Sequence, residues 1–270
     1  MLQNKKVFIT GAGSGIGRAL ALAFAKLQAE VIICDIKPYT LAETQAMIAQ
    51  IGGKSSAYLL DVSDKNAFFS LAKRVIATHQ GIDIVINNAG VALAAALTED
   101  TKLPDFEWIM GINFWGVVYG TQAFLPHLHT RPEAWIVNIS SVFGLAGIAK
   151  QSPYCAAKFA VRGFTESLRM ELLGTNITPI VVHPGGIDTN IVRESRGEDA
   201  AEIARVAANF AKHSAKTSAD EAAKVIIKGI LRKKRRILIG ADAWVMDRFV
   251  RFFPVFYSKV FSFFVKKMGI

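Results

Sequence analysis

At 270 residues and 51% hydrophobic content, the chain can bury a sizeable core, which excludes a disordered protein and suits one large α/β domain. Two cysteines, Cys34 and Cys155, exclude a disulfide scaffold and point to a reducing, cytoplasmic setting. The net charge of +10 is local: residues 224–270 hold 12 of the 32 Lys+Arg and two of the 22 acids, so the rest of the chain is balanced and a generally basic nucleic-acid binder is excluded.

Residues 1–6 are too short and polar for a signal peptide, and 7–10 read as a first strand. That strand runs into Thr10-Gly11-Ala12-Gly13-Ser14-Gly15-Ile16-Gly17 and then an amphipathic helix over 17–27. The G-x-G-x-x-G fingerprint fails, because Ile16 and Arg18 stand where its third glycine belongs. A G-x-x-x-G-x-G pattern at Gly11, Gly15 and Gly17 fits instead. A glycine loop between a first strand and a first helix lets bare backbone approach a pyrophosphate, with Ser14 and Ile16 beside it and the helix N-terminus aimed at the charge. A second strand over 31–35 ends at Asp35, 18 residues after Gly17. A carboxylate there accepts both ribose hydroxyls and repels a 2′-phosphate, so the expected cofactor is NAD rather than NADP. Arg18 and Lys37 are nevertheless placed to meet a phosphate.

Helical and strand patterns then alternate: helix 41–51, strand 56–60, helix 66–79, strand 84–87, a long helix 106–128, strand 135–140, helix 156–173, strand 178–183, helix 220–231 and strand 237–239. Ser218-Ala-Asp-Glu221 is a capping box for the last helix. Apolar β-branched strands separated by helices predict a doubly wound parallel sheet of about seven strands, Rossmann-type, covered on both faces. Residues 1–241 form this single catalytic and dinucleotide-binding domain, and 242–270 an aromatic, basic helical extension.

Asp61-Val62, Asn87-Asn88-Ala89-Gly90, Asn113, Ser140-Ser141, Tyr154-x-x-x-Lys158 and Pro184-Gly185 complete a pattern with the glycine loop. In this order and spacing the chain resembles the short single-domain branch of the short-chain dehydrogenase/reductase family over about residues 5–240. The resemblance implies an alcohol/ketone oxidoreductase. It implies that Asp61 and Val62 contact the adenine, that Asn88 lies under the cofactor, that Lys158 binds the nicotinamide ribose, and that Ile187 and Thr189 hold the carboxamide. It also implies that Asn113 holds a water linking Lys158 to solvent, and a dimer or tetramer through the helices carrying Asn113 and Tyr154.

The chemistry accounts for these residue types. Hydride transfer needs a proton transfer at the alcohol oxygen, and a free tyrosine, with a pKa near 10, is too weak a base at neutral pH. Tyr154 and Lys158 are four apart, so on a helix they share a face and the ammonium favours the phenolate. A hydroxyl must also bear part of the developing charge on the carbonyl. Ser140 and Ser141 compete for that role; the family spacing of thirteen residues before the tyrosine selects Ser141, leaving Ser140 structural. Asn113, a mediocre helix former inside the long helix, marks a local distortion. His183 reads as a packing histidine at a strand end, Cys155 points away from its neighbour Tyr154, and no cluster of ligands suggests a metal.

Residues 189–216, polar and then Ala-rich, read as a mobile substrate lid. Apolar residues over 91–97 with Phe143, Leu145 and Ile148 predict a hydrophobic alcohol or carbonyl substrate. In the extension, nine aromatics in residues 244–264 are interrupted by charges, with no apolar run near the ~18 residues of a spanning helix. Pro254 is expected to start a second helix. Arg248, Arg251, Lys259, Ser262 and Lys266 fall near one helical face. The extension therefore either packs on the protein or another subunit, or lies on an anionic membrane surface, which would make the protein peripheral at the cytoplasmic membrane face. Two other function classes share parts of the pattern: a non-catalytic NAD(H) sensor or scaffold at membranes, and a sugar-nucleotide epimerase or dehydratase, for which the chain lacks a larger C-terminal domain.

Overall fold

The computed structural model describes residues 2–260. In chain order the elements are β1 (Lys6–Thr10), α1 (Gly15–Lys26), β2 (Glu30–Asp35), α2 (Pro38–Gln50), β3 (Lys54–Leu59) and α3 (Lys65–Thr78). Next come β4 (Ile84–Asn87), α4 (Leu103–Met110), a π-helical turn (Gly111–Trp115), α5 (Gly116–Leu128), β5 (Ala134–Ile139) and a 3₁₀ turn (Val142–Gly144). α6 (Ser152–Glu171), β6 (Ile177–Pro184), β7 (Ile187–Asp188), α7 (Ala200–His213), β8 (Thr217–Ser218), α8 (Ala219–Leu231), β9 (Arg236–Ile239) and α9 (Ala241–Phe252) complete the described chain.

Seven strands pair in parallel in the order β3-β2-β1-β4-β5-β6-β9. The chain winds outward from β1 to β3, returns to β4 beside β1, and winds the other way, so the switch point lies between β1 and β4. Doubly wound sheets open their ligand crevice at that point, beyond the strand carboxyl ends. Side chains alternate across each strand and both faces are covered. Val7 and Ile9 enter one core with Leu20 and Phe24 of α1 and Ile226 and Ile230 of α8. Phe8, between them, enters the other with Phe68 of α3 and Phe124 of α5. The Phe8 and Phe124 rings stand 4.7 Å apart in a tilted pair. The predicted capping box at Ser218 and Glu221 is formed, with both reciprocal bonds present.

The structure departs from the sequence reading in four places. The long helix expected over 106–128 is three segments, α4, the π turn and α5. The distortion falls on Asn113, whose side chain bonds both backbone groups of Val91 (Oδ1 accepts at 2.8 Å, Nδ2 donates at 2.9 Å), so a tertiary contact overrides helical regularity. Helix α6 starts at Ser152, before Tyr154. The short pair β7 and β8 was not anticipated; it joins the two ends of residues 189–216. Finally, a turn over 254–256 separates α9 from residues 257–260, which are helical, a few residues later than the start expected at Pro254, so no continuous helical face carries both Arg248 and Lys259; Ser262 and Lys266 lie outside the described residues.

Candidate active site

A cleft of about 1100 Å³ opens at the switch point. Its floor is the glycine loop. Gly11 has φ +64°, and a Cβ there would sit 2.7 Å from Ala89 Cα; a Cβ on Gly17 would sit 2.1 Å from the Gly11 carbonyl oxygen. Only glycine lets this turn close. No side chain caps α1, so its first N–H groups remain available beside Ser14, Gly15 and Ile16, which line the cleft. The cradle and the uncapped helix end fit a dinucleotide pyrophosphate.

The loop is pinned by polar side chains. Asp35 accepts Gly13 N–H at 2.8 Å through Oδ2 and Lys37 N–H at 3.0 Å through Oδ1, and it lines the cleft. Asn88 Nδ2 donates to the carbonyls of Thr10 and Gly11 at 2.9 and 3.1 Å, while Thr10 Oγ1 accepts the N–H groups of Asn88 and Ala89. Arg18 bonds Gly13 O, Thr40 O, Thr44 Oγ1 and Glu43 Oε2. Lys37 pairs with Glu194 from the far side of the cleft. Both cations that could have met a 2′-phosphate already have carboxylate partners, and Asp35 and Glu43 add negative charge to the same wall. Asp61 and Val62 line the cleft beyond them.

At the other end, Ser141, Tyr154 and Lys158 converge. Ser141, extended at the end of β5, caps the 3₁₀ turn by accepting Phe143 N–H at 3.1 Å, and it lines the cleft together with Tyr154. Tyr154 keeps partial exposure into the cleft, yet burial pushes its phenol up to about 12, against a lowering effect of Ser141. Dehydration disfavours the phenolate, so the charge that stabilises it must come from groups gathered around the tyrosine. Lys158 is 2% exposed, and burial pushes its ammonium down to about 8. Its Nζ stands 5.6 Å from the Tyr154 ring centre and donates to Ile139 O at 3.1 Å.

Supporting residues surround the three. Ser140 Oγ donates to Lys158 O at 2.8 Å, the structural role expected for it. Asn113 is fully buried behind Gly90: a Cβ on Gly90 would lie 3.2 Å from its Oδ1 and 3.3 Å from Lys158 Nζ. With both ends of its amide committed to Val91, its side chain positions the loop after β4. Neither Asn113 nor Gly17 lines the cleft. His183 is fully buried; its Nδ1 donates to Ser141 O at 3.0 Å, its Nε2 has no partner, and burial drives its pKa down to about 4.

Residues 189–216 cover the cleft. Arg196 pairs by backbone with Ala92 and Ala94, stacks over Trp108 at 5.0 Å and meets Asp105 at 3.0 Å. The apolar wall holds Val91–Ala95, Phe143, Ile148, Ile191, Val192, Ile203, Val206 and Phe210. Three residues expected there are not: Ala96 lies outside the cleft lining, Leu145 is buried in the core and Leu97 is exposed. Ile187 and Thr189 do line the cleft. Sequence reasoning missed Asp242 and Met246, also in the wall. Asp242 Oδ2 accepts Gly186 N–H at 2.7 Å and fills the space where a Gly185 side chain would stand. The available signal was an acid in the first turn of a helix directly after the last strand. Among the described residues, no cluster of three or more His, Cys, Asp or Glu could hold a metal, and no helix is long and apolar enough to cross a membrane.

Residues 5–200 match the family model for short chain dehydrogenase. A Mycobacterium tuberculosis protein named as an oxidoreductase, SadH, is 38% identical over 260 residues, covering 96% of this chain and 94% of the relative. The 3-oxoacyl-[acyl-carrier-protein] reductase FabG of Thermotoga maritima is 36% identical over 188 residues, covering 70% and 76%. A crystal structure of a short chain dehydrogenase/reductase from Burkholderia phymatum in complex with NAD superposes with a TM-score of 0.85 at 25% identity, covering 93% of this chain and 94% of that one.

Proposed function

The chain belongs to the short-chain dehydrogenase/reductase family, and from that premise we propose that it is an NAD(H)-dependent oxidoreductase interconverting a hydrophobic alcohol and its ketone or aldehyde, with Tyr154 as the acid/base. The observation that carries this reading is Tyr154 and Ser141 lining one end of the cleft together, with Lys158 Nζ 5.6 Å from the Tyr154 ring and an apolar outer wall. A nicotinamide dinucleotide, when bound, supplies or accepts the hydride.

Gly11, Ser14, Gly15 and Ile16 with the α1 N-terminus would hold the pyrophosphate, with Gly17 beneath them. Asp35 would hold the adenosine ribose, Asp61 and Val62 the adenine, and Ile187 and Thr189 the carboxamide. Asn88 acts from below, on the loop carbonyls. In the reducing direction, Tyr154 donates its phenolic proton to the carbonyl oxygen while the Ser141 hydroxyl donates a hydrogen bond to the same oxygen. The resulting phenolate is held by the Lys158 ammonium; Asn113 positions the loop that frames this lysine, and a water at Asn113 would relay protons to it. In the alcohol-oxidising direction, a phenol lifted to about 12 must be brought down by positive charge gathered around it, from Lys158 and from an oxidised nicotinamide ring.

NAD is favoured over NADP because Arg18 and Lys37 already have carboxylate partners. A hydrophobic substrate is supported by the apolar wall and by FabG, whose name gives an acyl ketone as substrate. Residues 189–216 act as the lid. A dimer or tetramer through the helices around Asn113 and Tyr154 is supported by exposed Trp115, Phe159 and Met170, and a cytoplasmic, reducing setting by the two free, buried thiols.

The test is turnover of NADH and NADPH on ketones, aldehydes and alcohols of rising chain length. NADH is expected to be preferred, and rates to rise with substrate hydrophobicity. Tyr154→Phe is expected to lose roughly 10²–10⁴-fold in kcat with NADH affinity unchanged. A Tyr154→Phe enzyme as fast as the parent would refute the assignment.

A further inference from the structure

We infer that the outer face of α9 and the turn after it dock this protein on an anionic lipid surface, beside the mouth of its own cleft. The inner face of α9 is already used: Ala243 and Asp247 are buried, and Asp247 is bound by Arg236 and Arg251. The fold therefore does not need the outer face, yet that face is rich in large apolar groups. Trp244 is 50% exposed, Phe252 74%, Val255 79% and Phe256 54%. Arg248 lies over the Trp244 ring at 5.9 Å, and Arg248 and Lys259 are exposed beside the aromatics.

Charge selects the occupant. Of the two acids of residues 241–260, Asp247 is buried in ion pairs and Asp242 lines the cleft on the Gly186 N–H, so the charges on the outer face, Arg248 and Lys259, are basic. The sequence continues past this patch with Phe261, Phe263, Phe264, Lys266 and Lys267 and no acid. In a twofold contact with a second copy, a patch meets its own likeness, and here that would set cation against cation. Aromatics at a water–lipid boundary with basic residues toward anionic headgroups have no such conflict. Lipid also requires no matching groove, which suits a helix followed by a turn.

The patch shares a rim with the cleft. Met246 of α9 is in the cleft wall, and Tyr257 accepts the Gly147 N–H at 3.1 Å through its hydroxyl, on the loop between Ser141 and Tyr154. A docked protein would thus take substrate directly from the lipid phase. This consequence rests on the oxidoreductase reading; the docking does not.

The test is co-sedimentation of the full-length protein with extruded vesicles of neutral phosphatidylcholine, or of phosphatidylcholine with phosphatidylglycerol, at about 50 and about 500 mM salt. The variants are Phe252→Ser with Phe256→Ser, and Arg248→Glu with Lys259→Glu. The expected result is binding to the anionic vesicles at low salt, weakened by salt and by neutral lipid. Each double variant should lower the partition coefficient roughly tenfold or more while NADH affinity stays within about twofold of the parent. The inference is overturned if the parent stays in the supernatant, if neutral vesicles bind it equally, if both double variants still pellet with NADH binding intact, or if the substitutions change only the solution mass. Vesicle binding without any turnover would count against the oxidoreductase reading alone.

Discussion

The two ends of the cleft handle their polar groups in opposite ways. Around the glycine loop the side chains are tied to the backbone: each Asp35 oxygen accepts one N–H and keeps further acceptor sites, Arg18 makes four bonds, and the Asn88 amide holds two carbonyls. Around Tyr154 the groups are underused. Lys158 is buried with one hydrogen bond, and His183 Nε2 is buried with none. The first end is a rigid mould whose shape is fixed before anything binds. The second pays desolvation to keep reactive groups uncommitted, and burial moves their pKa values to about 12, 8 and 4 for Tyr154, Lys158 and His183.

The largest expected effect tests the rigidity of the mould. Gly17→Ala places a Cβ 2.1 Å from the Gly11 carbonyl oxygen and 2.6 Å from Asn88 Nδ2, with backbone on one side. The expected cost is about 3 kcal/mol in denaturant unfolding, with NADH affinity falling by an order of magnitude or more. Gly163→Ala on α6 is the counterpart at the catalytic end. A Cβ there meets nothing within 4 Å, and alanine in a helix interior should stabilise by about 0.5–1 kcal/mol. Equal outcomes for the two variants would erase the contrast.

A smaller effect is expected where the extension meets the mould. Asp242→Ala removes the acceptor of Gly186 N–H and loosens the loop leading to Ile187 and Thr189. Because Asp242 is exposed, the loss should be about 1 kcal/mol, read as a few-fold weaker NADH binding in fluorescence titration. Asp242→Asn keeps an acceptor oxygen and should restore most of it. No rescue would mean the carboxylate charge, rather than the bond, matters.

The same contrast explains what could be read from the sequence. Gly11, Gly15, Gly17 and Asp35 were legible because close backbone approach admits few residue types and the spacing is local. The parallel sheet was legible in its uninterrupted apolar strands, and the π turn in the poor helical fit of Asn113. Asp242 was not legible: its partner, Gly186, is 56 residues away, and no spacing rule connects them. Leu145 and Leu97 were misplaced because an apolar residue suits a core, a cleft wall or a surface equally by type. The burial of Tyr154 was not legible, because helical spacing reports the distance to Lys158, whereas burial depends on the whole surrounding fold.

The most specific prediction concerns the underused histidine, whose effect is absent at neutral pH and appears only on acidification. His183 is neutral in the native state: burial is the main cause of its depressed pKa, the bond to the Ser141 carbonyl opposes it, Arg236 and Arg162 add repulsion, and Asp247 adds a smaller attraction. In the unfolded chain the same imidazole takes a proton near 6.5. The folded pKa of about 4 lies below that, so the unfolded state binds the extra proton first as pH falls. The His183 contribution is therefore fully present above about pH 6.5 and is lost between 6.5 and 4, up to about 3 kcal/mol in all. His183→Asn can still donate to Ser141 O but has nothing to protonate. Its unfolding free energy, measured in urea from pH 7 to pH 4, should fall less steeply than that of the parent by about that amount. Parallel curves would mean that His183 takes up its proton in the native fold at the same pH as in the unfolded chain, with its Nε2–H⁺ satisfied by an acceptor, and the catalytic end would then be no less tied down than the glycine loop.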